Sequence, residues 1–114
     1  MSIRTEKVAS TIRHKLGEIL LTGARDPSFA FCSVTGVSVS PDLHSAVVSI
    51  STLAKEPQQV LKDLQDAEGF FRHQLGRAMY LKFVPELRFV LDTSAELNQK
   101  ISRIIKADHE TSDR

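Results

Sequence analysis

A chain of 114 residues, 41% hydrophobic and 25% charged, has the length and composition of one globular domain that builds its core without disulfides or a structural metal. A net charge of only +1 by itself argues against an obvious nucleic-acid binder. No apolar run reaches the length of a bilayer span, and Arg4, Glu6 and Lys7 stand where a secretory signal would be apolar, so a cytoplasmic protein is expected. Cys32 is the single cysteine, which excludes an intrachain disulfide, and His14, His44, His73 and His109 are scattered without metal-ligand spacing, so neither a metal nor a cofactor is expected.

The first element reads as a helix from about Arg4 to Leu21, with Val8, Ile12, Leu16, Ile19 and Leu20 on one apolar stripe and Gly23 as the C-cap. Arg4, Lys7, Thr11 and His14 run down its polar side with Arg13 and Lys15 beside them. Such a stripe is either an ordinary solvated face or a helix laid along an RNA backbone. Ala24 to Phe29 reads as a loop turned by Asp26-Pro27. From Phe31 to Ser40 the pattern is strand-like, with Cys32 reading as a small buried hydrophobe, but its alternation changes phase at Gly36, which predicts a β-bulge. Pro41-Asp42-Leu43 makes a hairpin turn into a second strand. Ala46, Val48 and Ile50 occupy one side of that strand and Ser45, Val47, Ser49 and Ser51 the other, as in a sheet packed on one face and partly open on its other.

Pro57 to Leu81 reads as a long amphipathic helix with Val60, Leu64, Ala67, Phe71, Leu75 and Ala78 on the buried face. Gly69 interrupts it. A glycine inside a helix costs about 1 kcal/mol relative to alanine and permits a kink, so two helices at an angle are expected, centred on Ala67-Glu68-Gly69. Opposite the apolar face lie Gly69, Arg72, His73, Gly76 and Arg77, with Lys82 beyond them and no acid before Glu86. Phosphate-binding side chains are interleaved there with glycines that allow close approach. The alternative is a solvated face in which Gly76 makes room for a neighbouring element. Leu87, Phe89 and Leu91 then alternate in a third strand after Pro85, Thr93 and Glu96 form a capping box, and Leu97, Ile101, Ile104 and Ile105 line a last helix.

The predicted order is helix, strand, strand, kinked helix pair, strand, helix: an α+β two-layer domain over residues 1–107, with helices on one face of a three-stranded sheet and a short polar tail at 108–114. Charge falls in blocks of +3 over residues 1–25, −4 over 26–68, +4 over 69–106 and −2 over 107–114. If the two basic blocks meet in the fold, they make one positive face on a nearly neutral protein. No nucleotide-binding, nucleophile-elbow or zinc-protease motif is present, so no enzyme is expected.

The chain resembles the bacterial ribosome-binding factor A family over roughly residues 3–106. The likeness is carried, in order, by Arg4, Lys7, Val8, Ile12 and Arg13, then Ile19-Leu20 and Asp26-Pro27, then the hairpin segments Val34 to Leu43 and Ala46 to Ser51. It continues with Ala67-Glu68-Gly69-Phe70-Phe71-Arg72, Leu75-Gly76-Arg77, Pro85 to Phe89 and Asp92-Thr93-Ser94.

That resemblance implies a type II KH-like fold in which an AxG kink, here Ala67-Glu68-Gly69, replaces the usual GxxG loop. It also implies a monomeric factor that binds the free or immature 30S ribosomal subunit, assists maturation of the 16S rRNA at its 5′ region and matters most in the cold. Ribosomal proteins and a maturation GTPase are further implied partners. Gly69, Arg72, His73, Arg77 and Lys82 would supply the RNA site, helped by Arg4, Lys7 and Arg13 if the first helix packs alongside, while Asp66 and Glu68 would cap the second half-helix. Many members are basic after Asp-Pro, where this chain has Ser28, and Lys82 is the sole cation before Pro-Glu-Leu, so fewer phosphate contacts are expected. Two rival readings are a KH-fold module that binds protein without direct RNA contact, and a small enzyme whose site only the fold assembles.

Overall fold

The computed structural model describes residues 3–23, 27–79 and 84–92. The predicted last helix with its capping box, Lys82, Asp26 and the polar tail lie outside the described residues. Helix α1 (Ile3–Glu18) buries Ile12 and Leu16 and continues into a π-helical turn, Ile19–Gly23, which replaces the expected cap at Gly23 and carries Ile19 and Leu20 into the core. Thr22 donates from its hydroxyl to the Glu18 carbonyl, 2.8 Å, across this wider turn. Thr5, on the N-terminal turn of α1, is also buried. A 3₁₀ helix, Pro27–Phe31, takes the end of the segment read as a loop and the first residue of the predicted strand, because the fixed φ of Pro27 suits the first position of a helical turn and Phe29 has a core to enter.

Strand β1 (Cys32–Val39) pairs antiparallel with β2 (Ser45–Thr52), and β2 pairs parallel with β3 (Glu86–Leu91). The order β1-β2-β3 makes β2 central and leaves β1 and β3 as edges. The bulge lies where the alternation slips: Val34 pairs with Ile50 and Gly36 with Ser49, so Thr35 is the extra residue, its hydroxyl donating to the Ser49 carbonyl at 3.3 Å. Ala46, Val48 and Ile50 of β2 are buried together with Leu87 and Phe89 of β3, whereas Val47 on the other face is exposed.

Helix α2 (Pro57–Asp66) packs on β3, α3 (Glu68–Met79) packs on β3 and α1, and α1 packs on β1. The helices and the inner sheet face enclose one core, completing the α+β layering expected of a type II KH-like domain. Phe71 is its hub. Fully buried on α3, its ring meets Phe29 at 5.8 Å, Phe70 at 5.3 Å and Phe89 at 5.6 Å between centroids, joining the 3₁₀ turn, its own helix and β3. Val60, Leu64 and Leu75 are buried as the spacing predicts, but Ala78 is exposed.

The β1–β2 turn is held by hydrogen bonds that converge on Asp42. The Ser40 hydroxyl donates to its Oδ1 at 2.6 Å, the His44 amide donates to the same oxygen at 3.0 Å, and the His44 ring lies 3.6 Å from Oδ2. Leu43 adopts φ +64°, a left-handed conformation that costs an L-residue about 1–2 kcal/mol, and its side chain packs against the core. The Ser40 hydroxyl, and after it the His44 amide, hold the Asp42 carboxyl below its ordinary range. A lowered carboxyl pKa in the folded state gives stabilisation that is complete above the ordinary value and disappears as pH falls through the lowered one. Thermal melts from neutral to acid pH should therefore show a loss of stability in the native chain that is smaller in Asp42→Asn; identical acid profiles would remove Asp42 from the turn's stability.

Candidate nucleic-acid interface

The break between α2 and α3 falls at Ala67, whose φ of −94° and ψ of 13° leave the helical region. Its amide still donates to the carbonyls of Asp63 and Leu64, both at 3.1 Å, while its own carbonyl accepts from Phe71 at 3.2 Å, so the chain changes direction with its backbone groups satisfied. The break falls at the first residue of the expected Ala67-Glu68-Gly69 kink, although low helix propensity pointed to Gly69. Gly69 lies in the first turn of α3, exposed, with no glycine among the described residues at positive φ and nothing within 4 Å of where its Cβ would be.

Glu68 does not cap α3. Its carboxylate accepts from the Leu87 amide on the free edge of β3 at 2.8 Å. Gln65 extends the same protection two residues further along, to Phe89: its Nε2 donates to the Leu87 carbonyl at 3.0 Å and its Oε1 accepts from the Phe89 amide at 2.9 Å. Two side chains from the kink thus complete the hydrogen bonding of an edge strand.

Arg72 belongs to this internal arrangement. Its Nη2 donates to the Val84 carbonyl at 3.0 Å and its Nε stands 3.9 Å from Glu68 Oε2, so its guanidinium is aimed at the approach to β3 and not outward. Gly76, one turn on, is 3.2 Å from Val84 Cγ2 at the position a Cβ would take. This is the alternative in which Gly76 makes room for a neighbour. The row Arg72–Gly76 therefore faces the protein, while the row Gly69, His73 and Arg77 faces solvent. Asp66, expected to cap the second half-helix, pairs instead with Lys62 at 3.4 Å.

Arg4, Lys7 and Arg13 are exposed along α1, which packs against α3. On α3, His73 and Arg77 are exposed as well, while Arg72 is withdrawn. Gln65 was not singled out from the sequence, because a glutamine whose partners lie 22 and 24 residues away leaves no local signal. Exposed apolar side chains gather elsewhere. Phe31 and Leu53, 62% and 87% exposed, each lie one residue beyond the final register pair Cys32↔Thr52 and emerge at the same end of the sheet.

Comparison with known proteins adds the following. A ribosome-binding factor A from Roseiflexus castenholzii is 40% identical over 109 residues, covering 93% of this chain and 84% of that protein. A solution NMR structure of a Thermotoga maritima protein, 31% identical, superimposes with a TM-score of 0.70 over 82% of this chain and 92% of its own. A homology model of the Thermus thermophilus ribosome binding factor A, fitted into a cryo-EM map of its complex with 30S, shares the fold at 23% identity, with a TM-score of 0.63 over 72% of this chain and 88% of that one. The profile of ribosome-binding factor A matches residues 4–105, and on that match, with these relatives and this fold, the chain belongs to the ribosome-binding factor A family.

Proposed function

We propose that this chain is a non-enzymatic, cytoplasmic assembly factor that docks as a monomer on the free or immature 30S subunit and holds 16S rRNA in a conformation suited to maturation at its 5′ region, with its greatest importance in the cold. The supporting observation is that α1 and α3, two helices in contact, expose Arg4, Lys7, Arg13, His73 and Arg77 in a chain of this family. These side chains neutralise rRNA phosphates, Lys82 adds a further cation, and the exposed Gly69 admits a backbone close to α3. Arg72 acts differently, as a brace between α3 and the approach to β3. The factor must prefer the immature or free subunit to the mature, joined one, since equal affinity for both shifts no equilibrium.

Charge reversal tests this reading. Lys7→Glu and Arg77→Glu replace exposed side chains, so each should leave the melting temperature nearly unchanged. Together they should weaken association with free small subunits by about ten-fold or more and flatten its salt dependence. Unchanged association would favour a second reading, supported by the exposed Phe31 and Leu53, in which the chain binds ribosomal protein without touching RNA. The purified chain should leave rRNA precursor ends unaltered when no nuclease is added.

A further inference from the structure

Between α1 and β1 runs a groove of about 330 Å³ lined by Ser10, Arg13, His14, Gly17 and Val34. Four of these follow one another along α1 at helical spacing, and Val34 is the residue before the bulge in β1. We infer that this groove is a docking notch for the sugar-phosphate backbone of double-helical RNA, which rests on the function proposed above and adds Ser10, His14 and Gly17 to the surface that performs it.

Gly17 is the telling residue. A glycine within a helix costs about 0.5–1 kcal/mol relative to alanine. Nothing among the described residues calls for it: a Cβ at Gly17 would meet none of them within 4 Å, and no described glycine adopts positive φ. Its missing side chain leaves the notch open. The lining fits a phosphodiester backbone. Arg13 and His14 bring cationic or hydrogen-bonding nitrogens, Ser10 brings a hydroxyl, and Arg4 and Lys7 extend the basic row toward the start of the helix. Glu18 adjoins this row, 3.5 Å from His14 and 3.8 Å from Lys15, while no ion pair holds Arg13 among the described residues. Among the described residues no aromatic ring lines the groove, so they offer no platform on which to stack an unpaired base and suit the regular backbone of a helix.

The test uses the full chain carrying Gly17→Leu, which fills the notch with a good helix former, and Arg13→Ala, which removes its unpaired cation. Gly17→Leu should melt at or above the temperature of the unsubstituted chain yet bind free small subunits about ten-fold more weakly, and Arg13→Ala should reduce the salt slope of binding by about one. Gly17→Leu binding as tightly as the unsubstituted chain overturns the notch, as does Arg13→Ala with an unaltered slope. If the unsubstituted chain does not associate with small subunits, the proposed function fails by itself. The notch is then decided by titrating the isotope-labelled full chain with a short RNA duplex. Amide shifts centred on Ser10, Arg13, His14 and Gly17 sustain it, and shifts confined elsewhere, or none, overturn it.

Discussion

Replacing Phe71 with alanine is expected to cost about 3–5 kcal/mol, out of a total of about 5–15 kcal/mol for a domain of this kind. The side chain is fully buried, so its truncation removes a large apolar surface and opens a cavity at the point where three rings converge. Each ring pair contributes about 0.5–1.5 kcal/mol beyond area burial, and these contributions go together. Phe71 also joins elements that touch each other little: Phe29 lies in the 3₁₀ turn, Phe89 in β3, and α3 meets α1. Urea unfolding of the variant should show a much lower midpoint with the slope retained. Phe71→Leu, which keeps an apolar filler, should recover much of the loss. A midpoint in Phe71→Ala close to that of the native chain would show that the hub is not where the stability resides.

Glu68→Ala is the second large effect, at about 2–3 kcal/mol. It removes a charge-assisted hydrogen bond from the Leu87 amide and takes the carboxylate away from Arg72, whose Nε is buried without a hydrogen-bond partner. Glu68→Gln keeps an acceptor for Leu87 and should cost less than half as much. Gln65→Ala, which strips the Leu87 carbonyl and the Phe89 amide, should cost about 1–3 kcal/mol by the same reasoning. Because both side chains serve Leu87, the double variant should not be additive. It also leaves β3 an unprotected edge, so concentration-dependent self-association is expected. Chemical denaturation of the single and double variants, with sedimentation velocity at two concentrations, checks both outcomes. Glu68→Ala and Glu68→Gln of equal stability would mean that the acceptor at Leu87 contributes nothing.

What was legible in the residues was the local pattern. The phase slip at Gly36 located the bulge, Pro41-Asp42-Leu43 located the turn, and the apolar spacing of Val60, Leu64, Phe71 and Leu75 identified the face that α2 and α3 bury. The kink was legible as an event and to within Ala67-Glu68-Gly69, but not to the residue at which it falls. Gly69 is the residue whose propensity opposes a helix, yet the chain breaks at Ala67, where the side chains of the neighbouring residues Gln65 and Glu68 reach the edge of β3. That tertiary pairing outweighs intrinsic propensity and spans 19 to 24 residues, so no spacing rule could show it. Arg72 misled for the same reason. On a helical wheel it shares a side with His73 and Arg77, but its row with Gly76 faces Val84 and theirs faces solvent, and the difference depends on where the segment before β3 passes. The basic stripe of α1 needed no tertiary information, since its apolar stripe already assigned the opposite side to solvent.

Sedimentation of the chain with cell extract through a gradient, at low and at high salt, separates the readings of its function. Docking on an assembly intermediate through phosphate contacts predicts co-migration with free small subunits, absence from joined ribosomes, and steep loss as salt is raised. A chain that stays at the top of the gradient even at low salt, or that follows joined ribosomes equally well, would contradict the proposed role as an assembly factor.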